Sequence, residues 1–222
     1  MKPLLVLRPE PGAGRTAERA QAMGLEAIVA PLFTVRPLAW TPPGPAAFDA
    51  LMLTSAQALR HGGDLSAFRA LPVYAVGAAT GDAARAVGFT QVHAGESDAA
   101  ALLDRAVADG RGAILHLTGR EHRAVIHPAT TVTRIAVYAA DVVDTLPDVA
   151  ADALARDAVA LLHSPRAART LAALSGWRGR IAALSPAVAE AAGPGWHSVA
   201  VAAAPTDDAL LAAAARLCEE GA

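Results

Sequence analysis

The sequence predicts an α/β protein made of two similar parallel-sheet units. Short apolar runs alternate with helical stretches along all 222 residues, which is the order expected of parallel strands joined by helices. The chain also resembles itself at an offset of 108 residues: Asp49 and Ala50 recur as Asp157 and Ala158, and strand and helix segments match in the same register. Such a repeat corresponds to two domains of about 100 residues each, and a cleft between two domains is a common ligand site.

The first half of the chain is predicted to contain four strands. Residues 4–7 form the first, and a helix over about 14–23 follows and ends at Gly24. Residues 27–35 read as one long second strand, and the proline-rich passage 37–45 interrupts regular structure. The other strands of this half are 50–53 and 73–76, each followed by a helix.

The second half repeats this scheme. Predicted strands lie at 113–117, 132–138, 158–162, 181–184 and 199–202. The last helix covers 207–220, with Thr206 or Asp207 as a suitable N-cap.

The connection between the two units has two interpretations. The passages 37–45 and 141–148 lie about one repeat apart, and each follows a long strand. Either the domains are sequential, or the passages are crossings between them, so that 1–36 join 144–222 and 37–143 form an inserted domain. The sequence symmetry alone leaves both open.

Composition excludes several classes of protein. The 19 basic and 21 acidic residues give a net charge of −2 and form no basic run, so a nucleic-acid surface is not indicated. No apolar run approaches the ~20 residues that span a bilayer, and no signal peptide is recognisable, so a cytoplasmic protein is expected. Nothing resembles a coiled coil or a broad apolar stripe, so a monomer is expected. Cys218 is the sole cysteine, which excludes an internal disulfide and a cysteine metal cage.

Polar turns follow four of the predicted strands at equivalent places in the two halves. In parallel sheets, ligands collect where strands end and helices begin, and the N–H groups of a helix start attract anions. A single turn of this kind could equally be an N-cap worth about 1 kcal/mol, but four together favour an anion-binding site. The turns are Thr54-Ser55, Gly77 to Thr80, His163-Ser164 and Ser185-Pro186.

The sequence contains no strong catalytic motif. Residues 77–81 lack the lysine and spacing of a phosphate loop, and no glycine fingerprint for a dinucleotide follows the first strand. His116, His122 and His127 are close in sequence, but nothing groups them with a carboxylate as metal ligands. No serine occupies a nucleophile elbow. We therefore expect neither a cofactor nor a metal.

Four other polar side chains lie near predicted strand ends: Arg8, Arg120, Arg123 and Tyr138. Each arginine could equally be a solvated loop charge, and Tyr138 could be a packed core residue with a satisfied hydroxyl. These residues predict a binding site with weak catalytic equipment.

The order of several short motifs resembles the uroporphyrinogen-III synthase family, the cyclases of tetrapyrrole biosynthesis. Each motif is weak alone, and their order over nearly the whole chain is the specific signal. The motifs are Leu7-Arg8-Pro9, Pro31-Leu32, Phe48-Asp49-Ala50-Leu51 with Thr54-Ser55-Ala56, Val76-Gly77 with Thr80, Leu117-Thr118-Gly119, Val137-Tyr138, Ser164-Pro165, and Val199-Ala200 with Pro205.

The resemblance implies a fold and a reaction. The fold is two flavodoxin-like parallel-sheet domains joined by a two-stranded crossing with a cleft between them, which favours the inserted-domain layout. The reaction is a cofactor-free cyclisation of linear hydroxymethylbilane, with loss of water and inversion of the last pyrrole ring through a spiro intermediate. Since the hydroxymethyl group leaves readily, a mild acid suffices and positioning is the main task. Transient contact with the preceding biosynthetic enzyme is a further expectation.

Site residues follow from the same resemblance. Tyr138 corresponds to a tyrosine that assists the loss of hydroxide, since a phenol is protonated at neutral pH and can donate. The implied substrate-binding residues are Arg8, Ser55, Gly77, Thr80, Gly119, Arg120, Ser164 and Ser185. One turn departs from the family: many relatives have Gly-Pro-Thr-Thr where this chain has Ser185-Pro186-Ala187-Val188.

Two other functions remain open at this point. A two-lobed binding protein for small anions would share the fold without catalysis. A receiver-like module is disfavoured, because the first strand ends in Arg8 and Pro9 and not in paired aspartates.

Overall fold

The computed structural model describes residues 2–95, 99–122 and 124–219, and in these ranges the chain forms eleven β-strands and eight α-helices. The strands are β1 (Leu4–Val6), β2 (Ala27–Val29), β3 (Phe33–Pro37), β4 (Ala50–Leu53), β5 (Val73–Val76), β6 (Val92–Gly95), β7 (Ala113–Gly119), β8 (Thr131–Val142), β9 (Val159–Leu162), β10 (Arg180–Ala183) and β11 (Ser198–Val201). The helices are α1 (Gly12–Ala22), α2 (Gln57–His61), α3 (Ala78–Ala86), α4 (Ala99–Ala108), α5 (Asp148–Ala155), α6 (Pro165–Leu174), α7 (Pro186–Ala192) and α8 (Asp207–Glu219).

The chain divides into two compact units. Unit 1 comprises Met1–Thr34 and Asp141–Ala222, and unit 2 comprises Val35–Ala140. The strands β3 and β8 are neighbours in one sheet, and each runs across the division between the units. The predicted α/β fold of two parallel-sheet units with a two-stranded crossing is therefore confirmed. The domain limits 1–36 with 144–222 and 37–143, and the cleft, stay predictions.

The two sheets share one strand order. In unit 1 the order is β11-β10-β9-β1-β2, and the other sheet reads β6-β5-β4-β7-β8-β3 from the corresponding edge. The internal repeat thus places equivalent strands at equivalent positions. Its offset is not constant, however. Leu51 lies opposite Leu115, but Val159, which corresponds to Leu51 at this offset, lies opposite Leu4 and not Leu7.

One strand prediction is wrong. The sequence predicts a single strand over 27–35, but β2 and β3 are separate and belong to different sheets. Pro31 lies between them and has no N–H to donate to a ladder. The neighbouring amides instead hold the passage against β1: Ala30 N donates to Val6 O and Leu32 N to Leu7 O, both at 3.0 Å.

The core of each unit follows from strand alternation. In unit 1, Leu4, Val6 and Leu161 pack on one face of the sheet with α1 and α8 residues such as Leu210. Unit 2 has a separate cluster on each face of its sheet: Leu115 and its face partners on one side, Ile114 and its partners on the other. Because side chains alternate along β7, each polar residue of this strand lies on the same face as one or the other of these two clusters.

No helix in the described part of the chain is long and apolar enough to cross a membrane.

Candidate active site

The ring of Tyr138 packs against a glycine of the neighbouring strand β7. In the β7–β8 ladder, Tyr138 pairs with Gly119, next to a bulge. A Cβ atom on Gly119 would lie 2.8 Å from Cε2 and Cζ of the Tyr138 ring and 3.0 Å from its hydroxyl oxygen. These distances are shorter than a non-bonded contact permits, so the phenol can occupy this position only because residue 119 has no side chain.

Ser55 lies in the turn that follows β4, the strand beside β7, where Leu53 is opposite Leu117. The Ser55 oxygen accepts a hydrogen bond from the Gln57 N–H at 3.2 Å. Ser55 is also close enough to Tyr138 to affect the acidity of the phenol. The structure thus brings together Tyr138, Ser55 and Gly119, three of the residues predicted from the sequence.

The surroundings of Tyr138 affect its acidity in opposite directions. Burial raises the pKa of the Tyr138 phenol, the hydrogen bond with Ser55 lowers it, and the negative charge of Glu121 raises it. The ring of His61, at the end of α2, is centred 6.3 Å from the Tyr138 ring. Burial also lowers the pKa of His61, which is therefore neutral at neutral pH. The phenol stays protonated under the same conditions.

Three further predicted residues surround this edge of unit 2. Arg120 donates from its backbone N–H to Tyr138 O at 2.8 Å, and its Nε donates to Glu121 at 2.8 Å. Gly77 has φ of 74°, a conformation that favours glycine, and it immediately precedes α3. Thr80 lies inside α3 and is only 6% exposed. The Arg120 charge is thus already paired, and the Thr80 hydroxyl is mostly enclosed.

In unit 1, Arg8 is held by an acidic partner that the sequence did not indicate. Arg8 Nη1 donates to Asp207 Oδ1 at 2.9 Å, and Thr16 donates to Asp207 Oδ2 at 2.8 Å. The guanidinium also packs against Gly12, where a Cβ would lie 2.6 Å from Arg8 Nε. Arg8 therefore lies between the first turns of α1 and α8, with its charge balanced by Asp207.

His163 completes this cluster. Its Nε2 lies 3.1 Å from Asp207 Oδ1, so the ring must carry a proton on Nε2 in order to donate to the carboxylate. Burial acts to raise the pKa of Asp207, but hydrogen bonds from His163 and Thr16 and the charge of Arg8 hold it at about 2. Burial lowers the pKa of His163 despite its hydrogen bond with Asp207. At neutral pH the cluster thus contains one cation and one anion.

The two predicted serines of unit 1 differ in their bonding. Ser164 is the N-cap of α6, and its oxygen accepts from Ala167 N at 3.1 Å. Ser185 precedes α7 in the same extended conformation but makes no side-chain cap hydrogen bond. Ser164 is therefore a structural cap, whereas no capping role accounts for the Ser185 hydroxyl.

Sequence reasoning missed the role of His116. This side chain is 1% exposed, and its Nε2 lies 3.2 Å from Thr54 Oγ1 at the end of β4. Burial, followed by the charges of Arg134 and His122, lowers the pKa of His116 to about 4. Strand alternation could have placed it inside, because 116 shares the inward face of Ile114. The structure thus places in the core a residue that the sequence analysis had considered only as a metal ligand, a role that it disfavoured.

Two remaining points concern metal ligands and Arg123. Within 2–95, 99–122 and 124–219, no three histidine, cysteine or acidic side chains are grouped closely enough to hold a metal ion. Arg123, singled out from the sequence, lies outside the described residues.

A family model described as uroporphyrinogen-III synthase HemD matches residues 14–212. The chain belongs to the uroporphyrinogen-III synthase family. It is a cyclising lyase of tetrapyrrole biosynthesis, which closes hydroxymethylbilane with loss of water and inversion of the last pyrrole ring. The family and the enzyme class expected from the motifs are confirmed, and the alternative of a non-catalytic binding protein has no support.

Solved structures agree on the fold. Uroporphyrinogen-III synthetase from Helicobacter pylori matches with a TM-score of 0.64 and 15% identity, over 98% of this chain and 100% of that one. A mutant uroporphyrinogen III synthase from the extreme thermophile Thermus thermophilus matches with a TM-score of 0.51 and 16% identity, over 98% and 99%. The comparison with curated proteins gives no match. At these identities the structures support the two-domain fold, and the residue roles need their own argument.

Proposed function

We propose that Tyr138 is the acid that releases hydroxide from hydroxymethylbilane, and that the strand ends of both units bind the carboxylates of the substrate. The observation that carries this proposal is the position of the phenol, which lies over Gly119 at the carboxyl end of β7. Ligands of parallel α/β sheets bind at this end of the strands.

The first step needs one proton. The nitrogen lone pair of the terminal pyrrole expels the hydroxyl group, the C–O bond breaks, and the phenol of Tyr138 supplies the proton that makes the leaving group water. Because burial raises the pKa of Tyr138, the phenol carries this proton at neutral pH. A carbocation delocalised into the pyrrole remains, and Tyr138 is left as phenolate.

The later steps return that proton. The substituted carbon of the last ring attacks the cation and gives the spiro intermediate, which fragments and closes again at the other carbon. The last ring then loses a proton to become aromatic, and this loss balances the proton that Tyr138 gave. The overall change is the loss of one water, so neither an oxidant nor a reductant is needed.

Carboxylate binding is proposed for the strand ends of each unit. In unit 1, Arg8 has donors beyond the group bonded to Asp207, and Ser164 retains its O–H after accepting from Ala167. The Ser185 hydroxyl, which makes no cap bond, is a further donor. In unit 2 the corresponding groups are Ser55, Gly77, Thr80, Gly119 and Arg120.

The setting of the enzyme is also proposed. We expect a cytoplasmic monomer that needs no cofactor and receives its unstable substrate by transient contact with the enzyme that makes it. Gel filtration tests the oligomeric state: elution near 22.5 kDa supports a monomer, and elution at twice that mass contradicts it.

The reaction is tested by adding the purified protein to freshly generated hydroxymethylbilane and separating the oxidised uroporphyrin isomers. Unassisted closure gives the symmetric type I isomer, so a protein-dependent switch to type III is the expected result. The Tyr138→Phe protein should make type III more slowly, whereas Tyr74→Phe, which changes the only other tyrosine, should not. Equal rates for both variants would remove the acid role from Tyr138.

A further inference from the structure

Gly119, one of the residues expected to bind substrate, lies directly under the phenol of Tyr138. We infer that Gly119 is a positioning residue, because the absence of a side chain at 119 is what allows the Tyr138 ring to lie over β7. This inference rests on the proposed role of Tyr138 as the acid.

The steric part of the argument concerns Gly119. The ladder of β7 and β8 shifts between Thr118 and Gly119, and this irregularity brings Tyr138 opposite the glycine. Any Cβ at 119 would meet Cε2, Cζ and the hydroxyl oxygen of the ring at 3.0 Å or less. The ring is large and rigid, and Val137 beside it is fully buried, so the ring and not the strand must move. An alanine at 119 should therefore displace the phenol from its position over β7.

Other charged or titratable groups face Tyr138 from the elements packed around it. His61 approaches from α2, with its ring centred 6.3 Å away, and Glu121 follows β7 and carries a negative charge toward the phenol. Arg120 is bonded to Glu121 through its side chain.

Kinetics separate positioning from substrate binding. Gly119→Ala should lower kcat about tenfold or more with little change in KM, because it displaces the acid and keeps the backbone groups that could contact the substrate. In the Tyr138→Phe background the same substitution should have almost no further effect. A raised KM with unchanged kcat, or losses that multiply with Tyr138→Phe, would overturn the inference.

A matched glycine control is available in the same unit. An alanine Cβ at Gly44 would meet nothing within 4 Å, and Gly44 has a negative φ of −60°. Gly44→Ala should therefore leave kcat and KM unchanged. A loss equal to that of Gly119→Ala would show that the effect at 119 comes from backbone stiffening and would contradict the steric argument.

A spectroscopic test needs no turnover. The Tyr74→Phe protein keeps Tyr138 as its single tyrosine, so the resonance of a ring labelled with carbon-13 at Cζ reports that phenol alone. Gly119→Ala should shift this resonance at neutral pH in a protein that circular dichroism shows to be folded. An unchanged resonance would overturn the inference. If the resonance shifts but kcat stays at the wild-type value, the contact between residue 119 and Tyr138 is confirmed. The acid role of Tyr138 is then contradicted.

Discussion

Arg8 and Asp207 form an ion pair between residues 199 positions apart, with Nη1 and Oδ1 separated by 2.9 Å. The pair closes the carboxyl end of β1 against the start of α8 within unit 1. Thr16 and His163 bond the same carboxylate, so Asp207 is the centre of the cluster and Arg8 is one of its three partners.

Removing the charge of Asp207 should destabilise the protein in a pH-dependent way. Its pKa is about 2 in the folded chain, below the ordinary 3.8, so the stabilisation is full above about pH 4 and is lost as the pH falls toward 2. Asp207→Asn should lower the free energy of unfolding at pH 7 by about 2 kcal/mol. Urea unfolding at several pH values measures this difference.

Asp208 is a matched control for this prediction. It is the next residue, it pairs with Arg19, and its side chain is 82% exposed, so its ion pair is well screened by water. Asp208→Asn should change the stability by less than about 0.5 kcal/mol. A similar loss for both variants would attribute the effect to the first turn of α8 and not to the buried cluster.

His116 should contribute to acid unfolding in a different pH window. The unfolded chain protonates this histidine near its ordinary pKa of 6.5, whereas the folded chain does so only near 4. The unfolded state therefore binds more protons between these values, and stability falls by up to about 3 kcal/mol as the pH decreases from 6.5 to 4. His116→Gln should flatten that part of the stability curve relative to the wild type.

The control for His116 is His197, which is exposed. His197→Gln should leave the curve between pH 4 and 6.5 close to that of the wild type. If the His116→Gln protein keeps the wild-type slope of stability against pH, other groups, such as the buried His163, account for the whole loss of stability in acid.

Gly12 tests whether Arg8 serves the substrate. A Cβ at position 12 would meet the flexible end of Arg8 at 2.6 Å, so Gly12→Ala should displace the guanidinium from Asp207, and the variant is assayed at a temperature at which circular dichroism shows it folded. We expect KM to rise several-fold with kcat nearly unchanged, because Arg8 is proposed to bind substrate carboxylates and not to take part in the proton transfer. Gly14→Ala, whose Cβ would approach only Glu10 at 3.3 Å, should leave KM unchanged. An unaltered KM for Gly12→Ala would argue that Arg8 is purely structural.

The two serines of unit 1 should differ in their contribution to stability. Ser164→Ala removes the N-cap of α6 and should cost about 1 kcal/mol of stability. Ser185→Ala removes no cap bond, so the melting temperature should be unchanged while KM rises. Thermal unfolding and steady-state kinetics of the two proteins check this, and a stability loss in Ser185→Ala with normal KM would reverse the assignment.

The strands were predictable because buried parallel strands are short, continuous apolar runs. The predicted ranges 50–53 and 73–76 coincide with β4 and β5. The error at 27–35 arose because apolar content alone cannot show that a chain leaves one sheet and enters another at Pro31. An alternating pattern of apolar residues could not reveal that the chain changes sheets, since the residues on both sides of Pro31 are apolar.

The site was predictable only in part. Strand ends and helix starts indicated where Ser55, Ser164 and Ser185 would lie, because parallel sheets bring those ends to one edge. The partner of Arg8 could not be deduced, since no local pattern connects it to Asp207. The contact of Tyr138 with Gly119 depends on a ladder irregularity, which strand periodicity does not encode.

The central claim is that the Tyr138 phenol supplies the proton for loss of hydroxide. Its most direct test is the single-turnover rate of type III formation by Tyr138→Phe, with Tyr74→Phe as the matched tyrosine control. The account predicts that Tyr138→Phe lowers this rate by about 10- to 100-fold while Tyr74→Phe stays at the wild-type rate. A Tyr138→Phe protein that is folded and as fast as the wild type would contradict it.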